Sequence, residues 1–468
     1  MRSMKKDSIT HLAILATIVA GLAFAGNPAQ AQDTAAPAAA APAADATPPS
    51  TTDLEKRIDE LEKELTALKS QVAAPAPAAA APASPAPAAA ATSAPAPAAP
   101  AAPSIPSLLG PVTLSGFVDA YYGYNANQPA NRTTALRNFD INSDQFSLNM
   151  IELIADKAPD PAASHVGFHV SLGFGQAMNL VNSTETGSPN APTTPVGGPV
   201  VSNFDQYLKE GYLEYLIGKK LQINVGKFVT WNGAEVIESK DNWNYSRGLL
   251  FSWAIPYFHF GASAKYAFNS KFSLTGYLVN GWNNSVDNNS GKTGAFSAAW
   301  TPNAKWSLVQ NYTVGPEHNN DNSNFRNLLD TIVTYTPNAK LSLMANYDYG
   351  SDRFVLTNAA PFVLGTKAHW DGIAGYLKYA PNANWYIATR GEYFQDVGGF
   401  ATGTAQNVGE FTLTLQRMLA GKIMSRLEYR YDASDHNVFP DNNGPAKRNQ
   451  STFTLGMIYA FSSADAPK

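Results

Sequence analysis

From about Gly110 to Phe461 the chain alternates apolar and polar residues with a period of two, in short runs separated by turn residues. This is the signature of β-strands with two unlike faces. In HVGFHVSLGF, Val166, Phe168, Val170, Leu172 and Phe174 take one face, and His165, Gly167, His169, Ser171 and Gly173 the other. In IMSRLEYRYD, Leu427, Tyr429 and Tyr431 oppose Arg426, Glu428, Arg430 and Asp432. In TFTLGMIYAF, Phe453, Leu455, Met457, Tyr459 and Phe461 oppose Thr452, Thr454 and Gly456. A sandwich would bury the apolar face as a shared core. A transmembrane barrel turns the apolar face to lipid and lines a lumen with the polar one. Composition favours the barrel. Charged residues are 15% of the chain, against about 25% in an average soluble domain, while aromatics reach 11%. The mean hydropathy is mildly negative, which excludes a bundle of membrane helices. A net charge of −4 leaves no basic excess for nucleic acid. The absence of cysteine excludes a disulfide scaffold, a thiolate metal site, an iron–sulfur cluster and a cysteine nucleophile.

Connection lengths sharpen the choice. Strands are expected near 112–124, 144–156, 164–176, 204–217, 221–230, 257–268, 271–282, 291–301, 305–315, 325–336, 341–350, 368–380, 385–396, 406–419, 422–432 and 449–461. Long connections (125–143, 177–203, 231–256, 351–367, 433–448) alternate with short ones (Gly218-Lys219-Lys220, Asn269-Ser270, Ala420-Gly421). Three short turns share one pattern: TPNAKW at 301–306, TPNAKL at 336–341 and APNANW at 380–385. Proline presets φ there and asparagine tolerates the left-handed region. Long loops at one end and tight turns at the other, with an even strand count of about 16, describe an antiparallel up-and-down barrel with both termini at the short-turn end. Tyr121, Tyr122, Tyr124, Trp300, Trp306, Tyr335, Tyr379 and Trp385 stand near strand ends, where interfacial girdles form. Around Met150–Ile154 and Lys227 the alternation slips, so a bulge or shifted register is expected.

The N-terminal quarter is unlike the rest. Arg2, Lys5 and Lys6 precede an apolar run, Leu12 to Ala25, that is too short to span a bilayer. Ala29-Gln30-Ala31 then fits a signal-peptidase site, with Ala23-Phe24-Ala25 as a second candidate. Residues 1–31 therefore read as a signal peptide, and no following cysteine offers a lipoprotein anchor. Residues 32–50 and 73–106 are Ala/Pro-rich linkers, which stay extended. Between them, in 51–72, Leu54, Ile58, Leu61, Leu65, Leu68 and Val72 repeat at alternating spacings of four and three. This is an a/d seam of a short α-helical coiled coil, with Arg57 facing Glu62 and Glu64 facing Lys69 across a parallel pair. Thr52 and Glu55 form a capping box. Self-association through 53–72 is expected, as dimer or trimer. A second linker extended at about 3.1 Å per residue spans on the order of 100 Å, enough to approach peptidoglycan from the outer membrane.

The run VGKFVTWNGAEVIESKDNWNYSRGLLFSWAIPYFHFGASAKYAF, 225–268, and the first strand LSGFVDAYYGYNANQP, 114–129, resemble the beta-barrel porin-2 family, also called OmpL-like. The resemblance rests on Gly226-Lys227-Phe228, Glu235, Glu238, Asn242-Trp243-Asn244-Tyr245-Ser246-Arg247, Pro256 and His259, and it extends over roughly 110–461. It implies a bacterial outer-membrane barrel of porin type and supplies no substrate. One departure is that Phe461, the aromatic of the last strand, is followed by SSADAPK instead of ending the chain.

A porin needs a wet lumen, a narrowing and charges that shape the field there. Segment 231–256 is the candidate inward loop, and Lys227, Glu235, Glu238, Lys240, Asp241 and Arg247 could oppose charge at a constriction. The same residues could equally make salt bridges that brace the wall. Arg426, Glu428, Arg430 and Asp432 form a ladder on one strand face, joined by Arg390 and Glu392 if Trp385, Ile387 and Tyr393 point to lipid. Charge on a lipid face is costly, so the ladder belongs in the lumen. His165 and His169 lack a third ligand nearby in sequence, and Asp287-Asn288-Asn289 and Asp321-Asn322-Ser323 read as turn chemistry, not calcium loops. No phosphate loop, nucleophile elbow or zincin motif occurs. No enzyme activity and no cofactor are expected.

The expectation is an all-β outer-membrane channel, residues 107–468, for passive diffusion of small hydrophilic solutes, with its stalk in the periplasm. The rival reading is a structural barrel that tethers the envelope through its coiled coil.

Overall fold

The computed structural model describes residues 112–185, 203–353, 367–442 and 444–465. The signal peptide, both linkers and the seam Leu54, Ile58, Leu61, Leu65, Leu68 and Val72 lie outside the described residues. The strands are β1 (Thr113–Asn125), β2 (Gln145–Lys157), β3 (Val166–Phe174), β4 (Leu208–Ile217), β5 (Leu221–Val229), β6 (Phe258–Asn269), β7 (Phe272–Val279), β8 (Thr293–Asn303) and β9 (Trp306–His318). They continue with β10 (Asp321–Asn338), β11 (Leu341–Arg353), β12 (Lys367–Asn382), β13 (Trp385–Asp396), β14 (Gln406–Leu419), β15 (Ile423–Ser434), β16 (Phe439–Asp441), β17 (Gly444–Lys447) and β18 (Asn449–Ser462). A short helix, α1 (Gln176–Val181), follows β3.

Sixteen of these strands pair with their neighbours in sequence, all antiparallel, and β1 closes on β18 from Ser115↔Ser462 to Asn125↔Thr452. Strands β16 and β17 form a separate hairpin within the connection between β15 and β18. A sheet closed on itself leaves every strand's backbone paired, which is the condition for crossing lipid. Alternation sets the faces as expected. Trp385, Ile387 and Tyr393 are exposed, whereas Arg390 and Glu392 between them are buried.

The tight turns are built by asparagine, in a different way from the expectation. Asn303, Asn338 and Asn382 each accept a hydrogen bond at 2.9 Å from the backbone N–H two residues on, and Asn269 does so at 2.8 Å. These are Asx turns, with the side chain standing in for a backbone carbonyl, and none of the four asparagines has positive φ. The predicted bulge falls at Asn149: Asp119 pairs with Met150 and Ala120 with Leu148, which leaves Asn149 extra and lets its side chain donate to Asp119 at 2.6 Å. At Lys227 pairing runs on without a slip; the irregularity lies in β4 beside Leu208. Trp300, Trp306, Tyr379 and Trp385 are exposed near the tight turns, as a girdle requires, and Trp306 stacks on Tyr335 at 4.3 Å. Tyr121 does not join them: it is buried inside among Phe117, Phe139 and Tyr245, because its position in the alternation matches Asp119.

Candidate constriction

Segment 230–257, between β5 and β6, is held inside the barrel by the inward faces of strands on the opposite side. Its first residues meet β9–β11: Gly233 N–H donates to Asp330 at 2.9 Å, Ala234 N–H to Asn346 at 3.2 Å, and Asn311 donates to the Trp231 carbonyl at 3.0 Å. Its middle reaches β1 and β15, where Ser239 and the Tyr245 hydroxyl both donate to Asp119, at 2.6 and 2.9 Å. Its end meets β12, where the Trp370 indole donates to the Ala254 carbonyl at 3.0 Å. Apolar residues complete the contact. Ile237, Tyr245, Leu249, Leu250, Phe251 and Ala254 are buried against Phe117, Phe139, Trp370 and Phe394. Much of the barrel's core is therefore a loop packed on the inside of its own wall.

The charge ladder is the machinery of that packing. Glu428 accepts from the N–H of Tyr245 at 2.6 Å and of Ser246 at 2.9 Å. Glu392 accepts from the Leu249 N–H, and Glu235 from the Gly248 N–H at 2.5 Å. Arginines do the converse. Arg426 donates to the carbonyls of Ser239, Asn242 (2.9 Å) and Asn244 (3.3 Å), and Arg430 to that of Arg247 at 2.6 Å. Arg390 bridges wall and loop, donating to Glu410 at 2.8 Å and to Glu235 and the Ser246 carbonyl at 2.7 Å each. Arg430 also pairs with Asp432 at 2.7 Å, and Arg137 from the first long loop reaches Asp432 at 3.2 Å. An irregular segment has no ladder of its own, so its peptide groups must find partners when buried. Here ionised side chains supply them, in the stronger, charge-assisted form. Two glycines allow the close approach. A Cβ on Gly248 would lie 2.3 Å from the Glu392 carboxylate, and one on Gly456 would lie 2.5 Å from the Tyr245 ring.

The sequence-predicted residues therefore divide. Arg390, Glu392, Arg426, Glu428, Arg430 and Asp432 on β13–β15 come together with Glu235 of the segment in one buried network. Glu238 lies apart from it, paired with Lys209, which also holds Glu152 at 2.5 Å. Lys240 and Asp241 pair with each other at 2.5 Å and keep partial exposure, with the Lys240 ammonium 5.5 Å above the Phe117 ring. Arg247 bonds within its own segment. It is buried, over the Phe139 ring at 4.6 Å, and it donates to the carbonyls of Tyr245 (2.8 Å) and Ile237 of its own segment. Lys227 does not join the loop charges either. It alternates onto the face of exposed Val225 and Phe260, and its ammonium is taken by Glu185 at 2.6 Å and Asn182 at 3.0 Å, above Phe258. Asp119, Glu410, Lys209, Glu152 and the acids Asp330 and Asp348 escaped sequence reasoning. Their signal was positional parity, except for Lys209, which shares parity with exposed Leu213 and Tyr215 and sits at the irregularity beside Leu208.

The opposite arc is less filled. Among inward positions, His169 on β3, Tyr212 and Glu214 on β4, Gln222 and Asn224 on β5, Tyr277 on β7 and Ser297 on β8 are all half-buried. Gln222 donates to both Glu214 and Asn224 at 3.1 Å, and His169 meets Asp156 at 2.9 Å. At the long-loop rim, His436 and Asn407 hold the Asp435 carboxyl down at about 2, so this rim acid stays charged.

A family model described as "Putative beta-barrel porin-2, OmpL-like" matches residues 111–461. The chain belongs to this porin family. The anion-selective porin of Comamonas acidovorans has the same fold, with a TM-score of 0.51 at 10% identity over 75% of this chain and 99% of that one. OmpT of Vibrio cholerae (TM-score 0.45, 12% identity, 75% and 97% covered) and the channel DcaP of Acinetobacter baumannii (0.44, 12%, 75% and 97%) are more distant. No curated protein sequence matches the chain. Family and fold together make it an outer-membrane porin channel.

Proposed function

We propose that this porin passes small hydrophilic solutes and ions by passive diffusion, along a path between segment 231–256 and the arc β3–β8. The carrying observation is the asymmetry of burial. Inward residues of β13–β15 such as Arg390, Thr412 and Asp432 are 0% exposed, whereas on β3–β8 His169, Glu214, Gln222, Asn224 and Ser297 keep solvent contact even though others there, such as Ser171 and His259, are buried. The ladder braces the segment, and the segment's bulk sets the narrowing. The groups that touch a passing solute are then Asp156, Glu214, Asn224 and Lys265 on the wall, with Val236, Lys240 and Asp241 on the segment; Val236 is 40% exposed. Acids and lysines both contribute, so selectivity is moderate. Reconstitution into planar bilayers should give discrete conductance steps. A folded, heat-modifiable barrel without conductance refutes the reading.

The N-terminal segment completes the proposal. Residues 1–31 direct export, and residues 51–72 associate in the periplasm, separated from the barrel by an extended linker that can reach peptidoglycan. Deleting 32–106 tests this part alone: conductance survives in a porin with an accessory stalk, and the oligomer it supports is lost.

A further inference from the structure

On the inner face of β9–β11, Asn311, Asp330 and Asp348 stand in one row. Asp330 pairs directly with Asn311 on one side and Asp348 on the other. Both carboxylates are 0% exposed. The Asn346 amide donates to both, at 2.7 Å to Asp330 and 3.3 Å to Asp348, so the two acids lie side by side. Among the described residues no lysine, arginine or histidine pairs with either. Other buried acids have a basic partner or several hydrogen-bond donors: Glu410 and Asp432 have Arg430, Glu152 has Lys209, and Glu428 accepts from two peptide N–H groups and the Thr414 hydroxyl. Two carboxylates out of water without a counter-charge are an unstable arrangement.

The orphaned atoms around the row point to what compensates it. Asp348 Oδ2, Asn311 Oδ1 and Asn232 Oδ1 are buried and have no hydrogen-bond partner. All three are oxygens, so the row lacks donors or positive charge; the Trp231 indole N–H is also without a partner, but its ring is stacked on His259 and Tyr277. Asn311 currently points its Nδ2 at Asp330 Oδ2, 2.6 Å away, and at the Trp231 carbonyl, 3.0 Å away. A half-turn of that amide puts Oδ1 in the same place and makes the set oxygen-only. Among the described residues no third acid completes a conventional acidic metal cluster; the remaining ligands are amide and peptide oxygens.

We propose that this row holds one hard divalent cation, bound by Asp330, Asp348, the Asn311 amide oxygen and the Trp231 carbonyl. Calcium suits an irregular oxygen set better than magnesium, which demands near-octahedral geometry. The ion would neutralise the pair and join β9–β11 to the first residues of the inward segment, since Gly233 already donates to Asp330. The proposal stands apart from the transport reading: it concerns what pins the segment, not what passes it.

The test uses the full chain, purified in detergent, stripped with EGTA and dialysed against micromolar calcium. The wild type should retain about one calcium per chain, and its unfolding midpoint should rise as calcium is added. Asp348→Asn should retain none and lose the shift. Asn311→Ala keeps both carboxylates and serves if Asp348→Asn does not fold; its half-saturating calcium should rise about tenfold. A wild type that retains no calcium and shows no shift overturns the proposal, and the pair then shares a proton. Equal retention by wild type and Asp348→Asn also overturns it, because the metal then lies elsewhere.

Discussion

The two halves of the lumen wall have similar chemistry and opposite fates. On β13–β15, Arg390, Glu392, Arg426, Glu428 and Arg430 are buried beneath segment 231–256 and bonded to its peptide groups or its acid Glu235. On β3–β8, His169, Glu214, Gln222 and Asn224 keep contact with solvent, with Gln222 bonded to Glu214 and Asn224 and His169 to Asp156. Charge in a porin lumen thus serves two ends. Where a loop lies over it, ionised side chains act as caps for peptide groups that have no strand partner. Where none does, the same residue types face the path. Counting lumen charges would misjudge selectivity, because the densest cluster faces protein and not water.

Breaking the sealed half should have the largest effects. Arg390→Ala takes the guanidinium from Glu235 and Glu392 in a buried site and leaves Glu410 with Arg430 alone; it should cost about 3–5 kcal/mol. Thermal unfolding of the detergent-solubilised barrel should register the loss, and the detached segment should become open to protease. Gly456→Val drives a side chain into the Tyr245 ring and should cost about 1–3 kcal/mol as overpacking, with noisier single-channel currents. The open half should respond in the other observable. Glu214→Lys should leave stability nearly unchanged and shift the reversal potential in a salt gradient toward anion preference. Glu428→Gln, made for comparison, should lower stability first and alter selectivity only through a displaced segment. Lys240→Gln should do least, since its exposed pair with Asp241 is worth about 0–1 kcal/mol.

The barrel was legible because period-two alternation is a local property that closure does not alter. The strand from Trp385 to Asp396 begins and ends where the pattern does. Strands β9 and β10 run past it, to His318 and from Asp321, because the hairpin stays paired beyond its apolar stretch. Parity also placed Arg390 and Glu428 inside, and it would have placed Tyr121 there had its proximity to the strand end not suggested a girdle. Partnership was not legible. That the Glu428 carboxylate caps Tyr245 and Ser246, 183 and 182 residues away, depends on the path of an irregular segment with no periodicity to read. Arg247 shows the same: its charge suggests a lumen role, and its carbonyl partners Tyr245 and Ile237 lie within its own segment. Lys227 failed because its counter-ion Glu185 follows α1, far from the motif that drew attention to the lysine.

The native chain has no cysteine, so a single introduced thiol reports its own exposure to the path. Asn224→Cys on β5 and Thr412→Cys on β14 place one thiol on each half, at inward positions that are half-buried and 0% exposed respectively. Each variant is opened in a planar bilayer and treated with a bulky charged thiol reagent. The account predicts a lasting fall in current for Asn224→Cys and none for Thr412→Cys. Equal block of both, or block of Thr412→Cys alone, would contradict it.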